Sequence, residues 1–453
     1  MNQSNPLAID PNAYVFLATG LDGTPLLTDP SGNALALLEQ FTDGRQYLSL
    51  TFDSNAYMTH NLVLSYGLVN WVTKGLFVGE KHIYFTAQED DWGIDDHQWL
   101  ATTPCGTPSD DDSLPQLRIH AADADAFVAW QTSRRADPIF AGFKLYNAFN
   151  GYGFTSDAYP NDDLTPWTAN PTNSGQFGWI NHTFNHTNMD GNSYATDASE
   201  ITQNIGMAAT MGFADFSPAS MVTPDISGLN DATFLQAAFD NGVRYLVSDT
   251  SQPNTNNNGP GPGFNLPIVN SIQPSITEIP RRANNLFFNA GDPAGWVQEY
   301  RCIYAGQAPY DTFDYQQILD NIAQSFVALM LRGDADPEMF HQTNLAAYDG
   351  VHSLLGDLLD NTFSQYESFF NLPVRTLDQA QLGTFMLNNQ AVHDSAVVST
   401  INNGISRTIT ISVQHPATIP VTGLSTQGAE TYGGQSISHL NLGAGETVTV
   451  PAP

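Results

Sequence analysis

The sequence predicts an α/β protein whose central region is flanked by a β-rich segment at each end. Strand-like runs and helical periods alternate from about residue 80 to about residue 390, a pattern typical of α/β domains. Short strands and turns precede this region, and period-two alternation between glycine-rich turns follows it from about residue 400. We therefore expect three parts: a β-rich supporting segment over 1–75, an α/β domain over 76–395 and a small antiparallel β module over 396–453.

The first part contains two strand-like runs and one ambiguous apolar segment. The runs are 14–17 and 46–52, which are separated by glycines and an Asp-Pro-Ser-Gly turn. The apolar residues of 61–78 fit either a buried helix or a close-packed pair of strands, and periodicity does not separate the two.

In the central and last parts, each element follows from composition or period. Branched and aromatic residues predict strands, 3.6-residue apolar spacing predicts helices, and an Asn/Pro/Gly-rich run predicts a surface loop. The predicted strands are 82–87, 140–145, 177–180, 243–247, 339–341, 408–413 and 446–450. The predicted helices are 123–134, 231–241, 314–331, 351–370 and 377–386, and the loop is 252–263.

The charge of the chain excludes several classes of partner. Lys and Arg number 14 against 46 Asp and Glu, which gives a formal net charge of −32. Binding to nucleic acid requires clustered basic residues, and the same argument disfavours anionic membranes. The acidic surface suits either a cationic ligand, such as an amino-sugar polymer, or solubility alone.

Targeting and cysteine content bear on location. No segment approaches the ~20 apolar residues of a membrane span. The first six residues lack the features of a signal peptide, which leaves a cytoplasmic protein or one whose signal peptide has been removed. Three lysines and Asn/Thr/Ser-rich loops favour the second, so we expect an extracellular or periplasmic protein. Cys105 and Cys302 form either one long-range disulfide or two buried thiols.

Three groups of residues could carry chemistry, and each follows a predicted strand. His182 and His186 are spaced to share one face of a helical turn, where both imidazoles could bind one metal ion. The acidic run 89–96 suits one aspartate on a metal and one free as a base, although a solvated loop or a calcium loop fits it equally well. His341 ends a predicted strand, where α/β barrels place catalytic groups.

These motifs, in this order, resemble those of NodB-type polysaccharide deacetylases. The resemblance is greatest to the carbohydrate-esterase branch that contains the fungal galactosaminogalactan deacetylase and the deacetylase domain of the Pel exopolysaccharide protein. It covers roughly residues 60–390 and rests on seven stretches of sequence. They are Trp71-Val72-Thr73-Lys74-Gly75, Gln88-Glu89-Asp90-Asp91-Trp92, Trp179-Ile180-Asn181-His182-Thr183-Phe184-Asn185-His186, Leu246-Val247-Ser248-Asp249-Thr250-Ser251, Ile279-Pro280-Arg281-Arg282, Asn285-Leu286-Phe287-Phe288-Asn289 and Phe340-His341-Gln342-Thr343-Asn344-Leu345.

The resemblance implies a distorted (β/α) barrel and a role for each motif residue. Asp90 would be the general base and His341 the general acid. Asp91, His182 and His186 would hold zinc, with cobalt or nickel as other transition metals that suit imidazole. The implied substrate-binding residues are Asp249, Arg281, Arg282, Trp92 and Trp179, the tryptophans as stacking platforms for sugar rings or as core residues.

The function that these roles imply is metal-dependent N-deacetylation of an N-acetylhexosamine polysaccharide, with a galactosaminoglycan-like polymer as substrate. A metal-independent glycosidase that pairs Asp90 with Asp249 is an alternative. A catalytically silent polysaccharide-binding matrix protein is another.

Overall fold

The computed structural model describes residues 5–17, 22–254, 257–404 and 406–453. The first residues of the chain, 1–4, and residues 255–256 of the predicted polar loop lie outside the described part. Two compact units make up the chain, Met1–Gly75 and Leu76–Pro453. No helix of the described ranges is both long and apolar enough to cross a bilayer.

The first unit contains a small antiparallel sheet and a helix. Its elements are β1 (Thr24–Thr28), β2 (Ala34–Gln40), β3 (Gln46–Leu50) and α1 (Thr59–Thr73), and β2 is the central strand. The predicted strand 14–17 is reduced to one bridge between Val15 and Phe52. The ambiguous apolar segment forms a helix, which ends where Lys74 and Gly75 adopt left-handed backbone angles.

The second unit carries the remaining strands and helices. Its strands are β4 (Phe77–Val78), β5 (Ile83–Tyr84), β6 (Ala87–Trp92), β7 (Asp96–His97), β8 (Gln116–Leu117), β9 (Tyr146–Phe149), β10 (Gly178–Asn181), β11 (Phe216–Met221), β12 (Tyr245–Asp249), β13 (Ile268–Val269), β14 (Thr277–Arg281), β15 (Glu338–His341), β16 (Val374–Arg375), β17 (Val398–Asn402), β18 (Thr408–Ser412), β19 (Ala417–Thr422), β20 (Glu430–Tyr432), β21 (Gln435–Leu442) and β22 (Thr447–Pro451). Its helices are α2 (Ala121–Arg135), α3 (Leu164–Thr168), α4 (Pro171–Ser174), α5 (Tyr194–Met211), α6 (Ala232–Asp240), α7 (Pro293–Ile303), α8 (Tyr315–Arg332), α9 (Leu354–Phe369) and α10 (Gln379–Asp394).

The largest sheet forms a distorted barrel. Its strand order is β13-β14-β12-β11-β10-β9-β6-β15, and all neighbours are parallel except β13 and β14. A parallel bridge joins Arg282, directly after β14, to Glu338 of β15, and Met339 N donates to Arg282 O at 2.9 Å. The parallel strands therefore curl round on themselves, which confirms the predicted α/β class and its distorted (β/α) barrel.

The inside of the barrel is filled by apolar side chains and closed by α10. Ala148, Ile180, Val247 and Ile279 of the strands and Val222, directly after β11, belong to this core and cluster with Leu382 and Met386 of α10. At the start of α10, Gln379 Nε2 donates to the carbonyl oxygens of Met221 and Tyr245, both at 2.9 Å. This core packs against α10, and the carboxyl ends of the strands are where barrels of this kind carry their chemistry.

Helix α8 illustrates how sequence signals fix the outer layer. Asp314 caps its first turn by accepting a hydrogen bond from Gln317 N, and the Gln317 side chain accepts from Asp314 N in return. Its buried side chains recur every three or four residues, and the helix stops at Gly333, which has a φ of 79°. These signals account for the agreement with the predicted helix 314–331.

The last strands of the chain pair in antiparallel fashion, as the period-two alternation predicts. Strand β18 lies between β17 and β22, and β21 lies between β20 and β19. Strand β4, which opens the second unit, pairs with β19. The inward residues of β18 and β19, such as Ile409, Ile411 and Ile419, form a separate apolar core.

Two strand predictions in the second unit also differ from the structure. Residues 140–142 form a turn and 143–145 have no regular structure, so the strand begins only at Tyr146. The predicted strand 82–87 is broken after Tyr84, because β5 pairs with β16 whereas β6 enters the barrel sheet. Cys105 and Cys302 form a disulfide, which selects one of the two alternatives that the sequence leaves open.

Candidate active site

Polar residues continue the inward-facing rows of the barrel at the carboxyl ends of its strands. Side chains two positions apart on a strand point to the same face. The apolar residues Ala148, Ile180, Val247 and Ile279 are followed in this way by a polar row at the C-terminal ends. That row consists of Asn150, His182, Asp249 and Arg281.

A β-bulge in β6 positions the two neighbouring aspartates. Glu89 pairs with Asn147 and Trp92 with Phe149, so between these pairs β6 contains one residue more than β9. Within that stretch, Asp91 has a φ of 71°, an unfavourable angle for a residue with a Cβ. The bulge interrupts the normal alternation of side chains. The sequence places the acidic run after a strand, and this is wrong because Asp90 and Asp91 lie inside β6.

The two histidines of the His-Thr-x-x-His motif lie on a loop after β10. The predicted helical turn does not form, because Thr183 and His186 have φ angles of 66° and 57°. Asn150 holds the loop by donating from Nδ2 to the carbonyl oxygens of His182 (2.6 Å) and Thr183 (3.2 Å). His182 Nδ1 lies 2.9 Å from Val222 O, which orients the ring with Nε2 towards the site.

Asp91, His182 and His186 form a candidate metal centre. Asp91 Oδ1 lies 3.2 Å from His182 Nε2 and 3.1 Å from His186 Nε2, and the three donor atoms lie within 4.8 Å of one another. Asp91 Oδ1 is buried, yet it has no hydrogen-bond partner of acceptable geometry. Three unprotonated donors around one point with such an orphaned oxygen fit a zinc-type ion, which uses two imidazoles and a carboxylate in catalytic sites.

The electrostatics of this centre favour a charged carboxylate. Burial alone would raise the pKa of Asp91, but the His182 and His186 imidazoles outweigh burial and hold the pKa well below its usual range. Burial would lower the pKa of His186, and Asp91 beside it reverses this, so that the pKa is raised. The site therefore attracts positive charge, whether it is a proton or a metal cation.

Asp90 is held by Arg281 in a buried ion pair. Arg281 Nη1 donates to Asp90 Oδ1 at 3.1 Å, and Nη2 donates to Oδ2. Their side chains are 1% and 6% exposed. Two parallel hydrogen bonds fix the plane of the carboxylate next to Asp91.

His341 closes the cluster from the neighbouring strand. It is opposite Asp90 in the parallel register of β15 and β6, and its Nε2 lies 3.9 Å from Asp91 Oδ2. Its side chain remains 18% exposed, so it can meet a substrate. Burial lowers the pKa of His341 from its usual value of 6.5, and Asp91 and Asp90 oppose that shift.

The other two polar residues of the prediction lie differently. The carboxylate of Asp249 accepts from Ser251 N at 2.8 Å and Gln252 Nε2 at 3.3 Å, which are contacts within its own loop. Among the polar contacts of the described residues, none joins Asp249 to Asp90. Arg282 pairs with Asp334 and Asp336, both at 2.8 Å, so Arg281 alone of the two arginines reaches Asp90.

The prediction that Trp92 and Trp179 stack against sugar rings is wrong. Trp92 is 0% exposed and Trp179 2%, so neither offers a face to a ligand. Trp179 instead stacks on Phe213 with ring centroids 3.8 Å apart, and Trp92 packs edge-on against Trp179 with ring centroids 5.6 Å apart. Removing roughly 200 Å² of each ring from water contributes about 5 kcal/mol of hydrophobic free energy per ring, which favours the placement of both rings in the core.

Sequence reasoning missed two residues that support Asp91. Asp96 interacts with Asp91, and Gln342 Nε2 donates to Asp96 Oδ2 at 3.0 Å. Gln342 is fixed in turn, because its Oε1 accepts from Ile119 N at 2.9 Å. Asp96 belongs to the acidic run and Gln342 follows His341, so each was adjacent to a recognised motif.

Comparison with known families places this site in context. A family model for the Agd3 deacetylase domain matches residues 131–397, which is more than half of the chain. The matched range includes His182, His186 and His341, and it begins after Asp90 and Asp91. None of the curated proteins matches the chain.

One solved structure shares its fold with most of the chain. The crystal structure of Agd3, described as a novel carbohydrate deacetylase, aligns with a TM-score of 0.76 and 20% identity. The alignment covers 93% of this chain and 72% of that chain, and it shows a common fold. A family 4 carbohydrate esterase from Streptomyces lividans in complex with acetate aligns with a TM-score of 0.32 and 11% identity, over 67% of this chain and 97% of that one.

Proposed function

This chain belongs to the Agd3 deacetylase domain family, and from that premise we propose that it is a metal-dependent N-deacetylase of an N-acetylhexosamine polysaccharide. The observation that carries the proposal is the grouping of Asp91, His182 and His186 around one point. Asp90 and His341 lie next to that point on adjacent parallel strands. Hydrolysis of an amide needs a base, an acid and a means to stabilise an oxyanion, and this grouping offers all three.

Asp91, His182 and His186 would hold the metal ion, with zinc as the ion that this donor set fits best. When bound there, such an ion would polarise the acetamide carbonyl, lower the pKa of water and offset negative charge on the carbonyl oxygen. Cobalt or nickel would suit the same ligands. The carbonyl oxygen of Val222 and the side chain of Asp96 would hold the ligands in place.

Asp90 would act as the general base. It removes a proton from the attacking water while the new carbon–oxygen bond forms, and Arg281 holds its carboxylate in orientation. His341 would then donate a proton to the amide nitrogen as the carbon–nitrogen bond breaks. The products are acetate and an amino sugar, which accounts for every atom of the amide and the water.

The substrate that we propose is a galactosaminoglycan-like polymer, chosen from the motif resemblance. The net charge of −32 supports a polymer that becomes cationic as its acetyl groups leave. We also propose an extracellular or periplasmic location, which the Cys105–Cys302 disulfide supports because disulfides persist in oxidising compartments.

Acetate release tests the proposal. Purified protein is incubated with partly acetylated galactosaminoglycan and with chitin oligomers, before and after treatment with a chelator and after addition of zinc. We expect chelator-sensitive acetate release, faster on the galactosamine polymer. New reducing ends without acetate would show a glycosidase instead, and binding to the polymer without either product would show a silent binding protein.

A further inference from the structure

A second group of histidines and carboxylates lies at the junction of the barrel and the C-terminal strands. Glu80 and His82 lie on the segment between β4 and β5. Glu430 is the first residue of β20, and His439 lies in β21, opposite Pro420 of β19. His82 and Glu430 are 348 positions apart in the chain, so the fold alone brings this group together.

The donor atoms of this group lie close together, with Glu80 Oε2 3.9 Å from His82 Nδ1 and Glu430 Oε1 beside His82 Nε2. One donor atom from each of Glu80, His82 and Glu430 lies within 4.8 Å of the other two. His439 Nε2 lies 2.9 Å from Glu80 Oε2 and supplies a fourth donor. In a tetrahedral zinc site the donors are about 3.3 Å apart, since the metal–ligand bonds are about 2.0 Å long. Rotation of the glutamate side chains would bring the distances between donor atoms to this value.

Neighbouring side chains orient these donors as the surroundings of a metal site do. The His82 side chain is 2% exposed, with Nε2 facing Glu430 Oε1 and Nδ1 3.2 Å from the Tyr84 hydroxyl. Arg375 Nη2 donates to Glu430 Oε2 at 2.9 Å and leaves Oε1 directed at His82. A second hydrogen bond to each ligand is the usual means of fixing its orientation.

The cluster is accessible and electrically incomplete. It lines a cavity of about 460 Å³, and the His439 side chain is 42% exposed, so an ion can enter. Two glutamates and one arginine leave a negative charge when the histidines are neutral. This set of imidazole and carboxylate donors is borderline in softness and suits zinc better than calcium or magnesium.

We propose that Glu80, His82, Glu430 and His439 bind a second divalent metal ion of the zinc type, with a structural role. The ion would cross-link the start of the barrel to β20 and β21 and stabilise the second unit. This proposal does not depend on the deacetylase activity, because the cluster shares no residue with Asp91, His182 and His186.

Zinc counting on the full chain tests this proposal. Each protein is dialysed against dilute zinc and then against buffer, and bound zinc is measured by mass spectrometry. We expect two zinc ions per chain in the wild type and one in the His182→Ala/His186→Ala variant. Adding His439→Ala to that variant should weaken zinc binding by at least about tenfold. His439→Ala is expected to fold, because the side chain is half exposed and its contact is with Glu80.

Two controls make the outcome decisive. His352 forms an exposed pair with Asp349 at 2.8 Å, so His352→Ala controls for zinc held by ordinary surface pairs. Glu80→Gln preserves shape while removing the charge of one ligand. Zinc should raise the melting temperature of the His182→Ala/His186→Ala variant, and Glu80→Gln should abolish that rise. If the His182→Ala/His186→Ala variant binds no zinc and zinc leaves its melting temperature unchanged, the cluster is a hydrogen-bonded network and the proposal is wrong.

Discussion

Replacement of Arg281 by glutamine should destabilise the protein strongly and reduce acetate release. The side chains of Arg281 and Asp90 are 1% and 6% exposed, and Arg281 Nη1 donates to Asp90 Oδ1 at 3.1 Å. Arg281→Gln removes the positive charge and leaves the Asp90 carboxylate buried without its partner. The loss of orientation of Asp90 should lower the rate of the chemical step.

The size of the stability effect follows from this geometry. Two unit charges 3.1 Å apart attract with about 5 kcal/mol at an effective dielectric constant of about 20. Breaking one side of a buried pair costs about 3–5 kcal/mol, since the remaining charge is not compensated. We therefore expect the free energy of unfolding to fall by about 3–5 kcal/mol in Arg281→Gln.

Urea unfolding followed by tryptophan fluorescence measures this change. All of the seven tryptophans except Trp71 lie in the second unit, so fluorescence reports that unit. Asp90→Asn and the double variant complete a thermodynamic cycle, and the double variant should lose less stability than the two single changes added together. Arg282→Gln is a matched control for activity, because its partners are Asp334 and Asp336. Additive effects, or equal loss of activity in Arg282→Gln, would refute the reasoning.

Four further predictions follow from described contacts. As the proposed general acid, His341 acts in its protonated form, and burial lowers its pKa below 6.5. Acetate release should therefore decline as pH rises through that lowered pKa, which a pH–rate profile checks. His341→Gln should lose this decline together with most of the activity. Burial raises the pKa of Glu278 from 4.5 to about 8, so between these pH values the folded protein retains a proton that the unfolded chain releases. The free energy of unfolding should therefore fall as pH rises through this range. Unfolding measured at both ends of the range should show this fall in wild type and its loss in Glu278→Gln. Serine at both Cys105 and Cys302 should cost about 2–4 kcal/mol in urea unfolding, and dithiothreitol should affect wild type but not the variant. Gly153→Ala would force a Cβ against the Gly93 carbonyl, two residues after Asp91, so melting temperature and acetate release should both fall, whereas Gly206→Ala, at an exposed position inside α5 where a Cβ meets nothing within 4 Å, should leave acetate release unchanged and raise the melting temperature slightly.

The parts of the site that the sequence predicts are those that depend on strand ends. Asp90, His182 and His341 each belong to a motif at the end of a predicted strand. Because the carboxyl ends of parallel strands meet at one end of a barrel, such motifs converge whatever the exact register. This is why the grouping could be anticipated even though the acidic run was placed after its strand and the histidines were placed on a helical turn.

The details that failed depend on local backbone angles and on facing. Nothing in the residue types at 90–91 indicates a bulge with a φ of 71°, since an aspartate rarely adopts it without tertiary support. The choice between Arg281 and Arg282 depends on which residues of β14 face inward, and a shift of one residue reverses it. Trp92 and Trp179 lie close in sequence to residues of the candidate site, yet alternation along their strands turns them into the core.

Long-range contacts were beyond reach for a different reason. Gln342 meets Asp96 across 246 positions, and Cys105 meets Cys302 across 197. Pairs so distant in sequence leave no local pattern, and their partners become visible only when the barrel is assembled.

The measurement that tests the central claim most directly is acetate release by metal-depleted protein as zinc is added, with wild type and Asp91→Ala assayed in parallel. Asp91 contributes the buried oxygen that faces both His182 and His186. We predict that wild type regains acetate release as zinc is added and that Asp91→Ala does not, while both proteins retain the same folded state by circular dichroism. Acetate release that persists without metal, or that is equal in Asp91→Ala, would contradict the account.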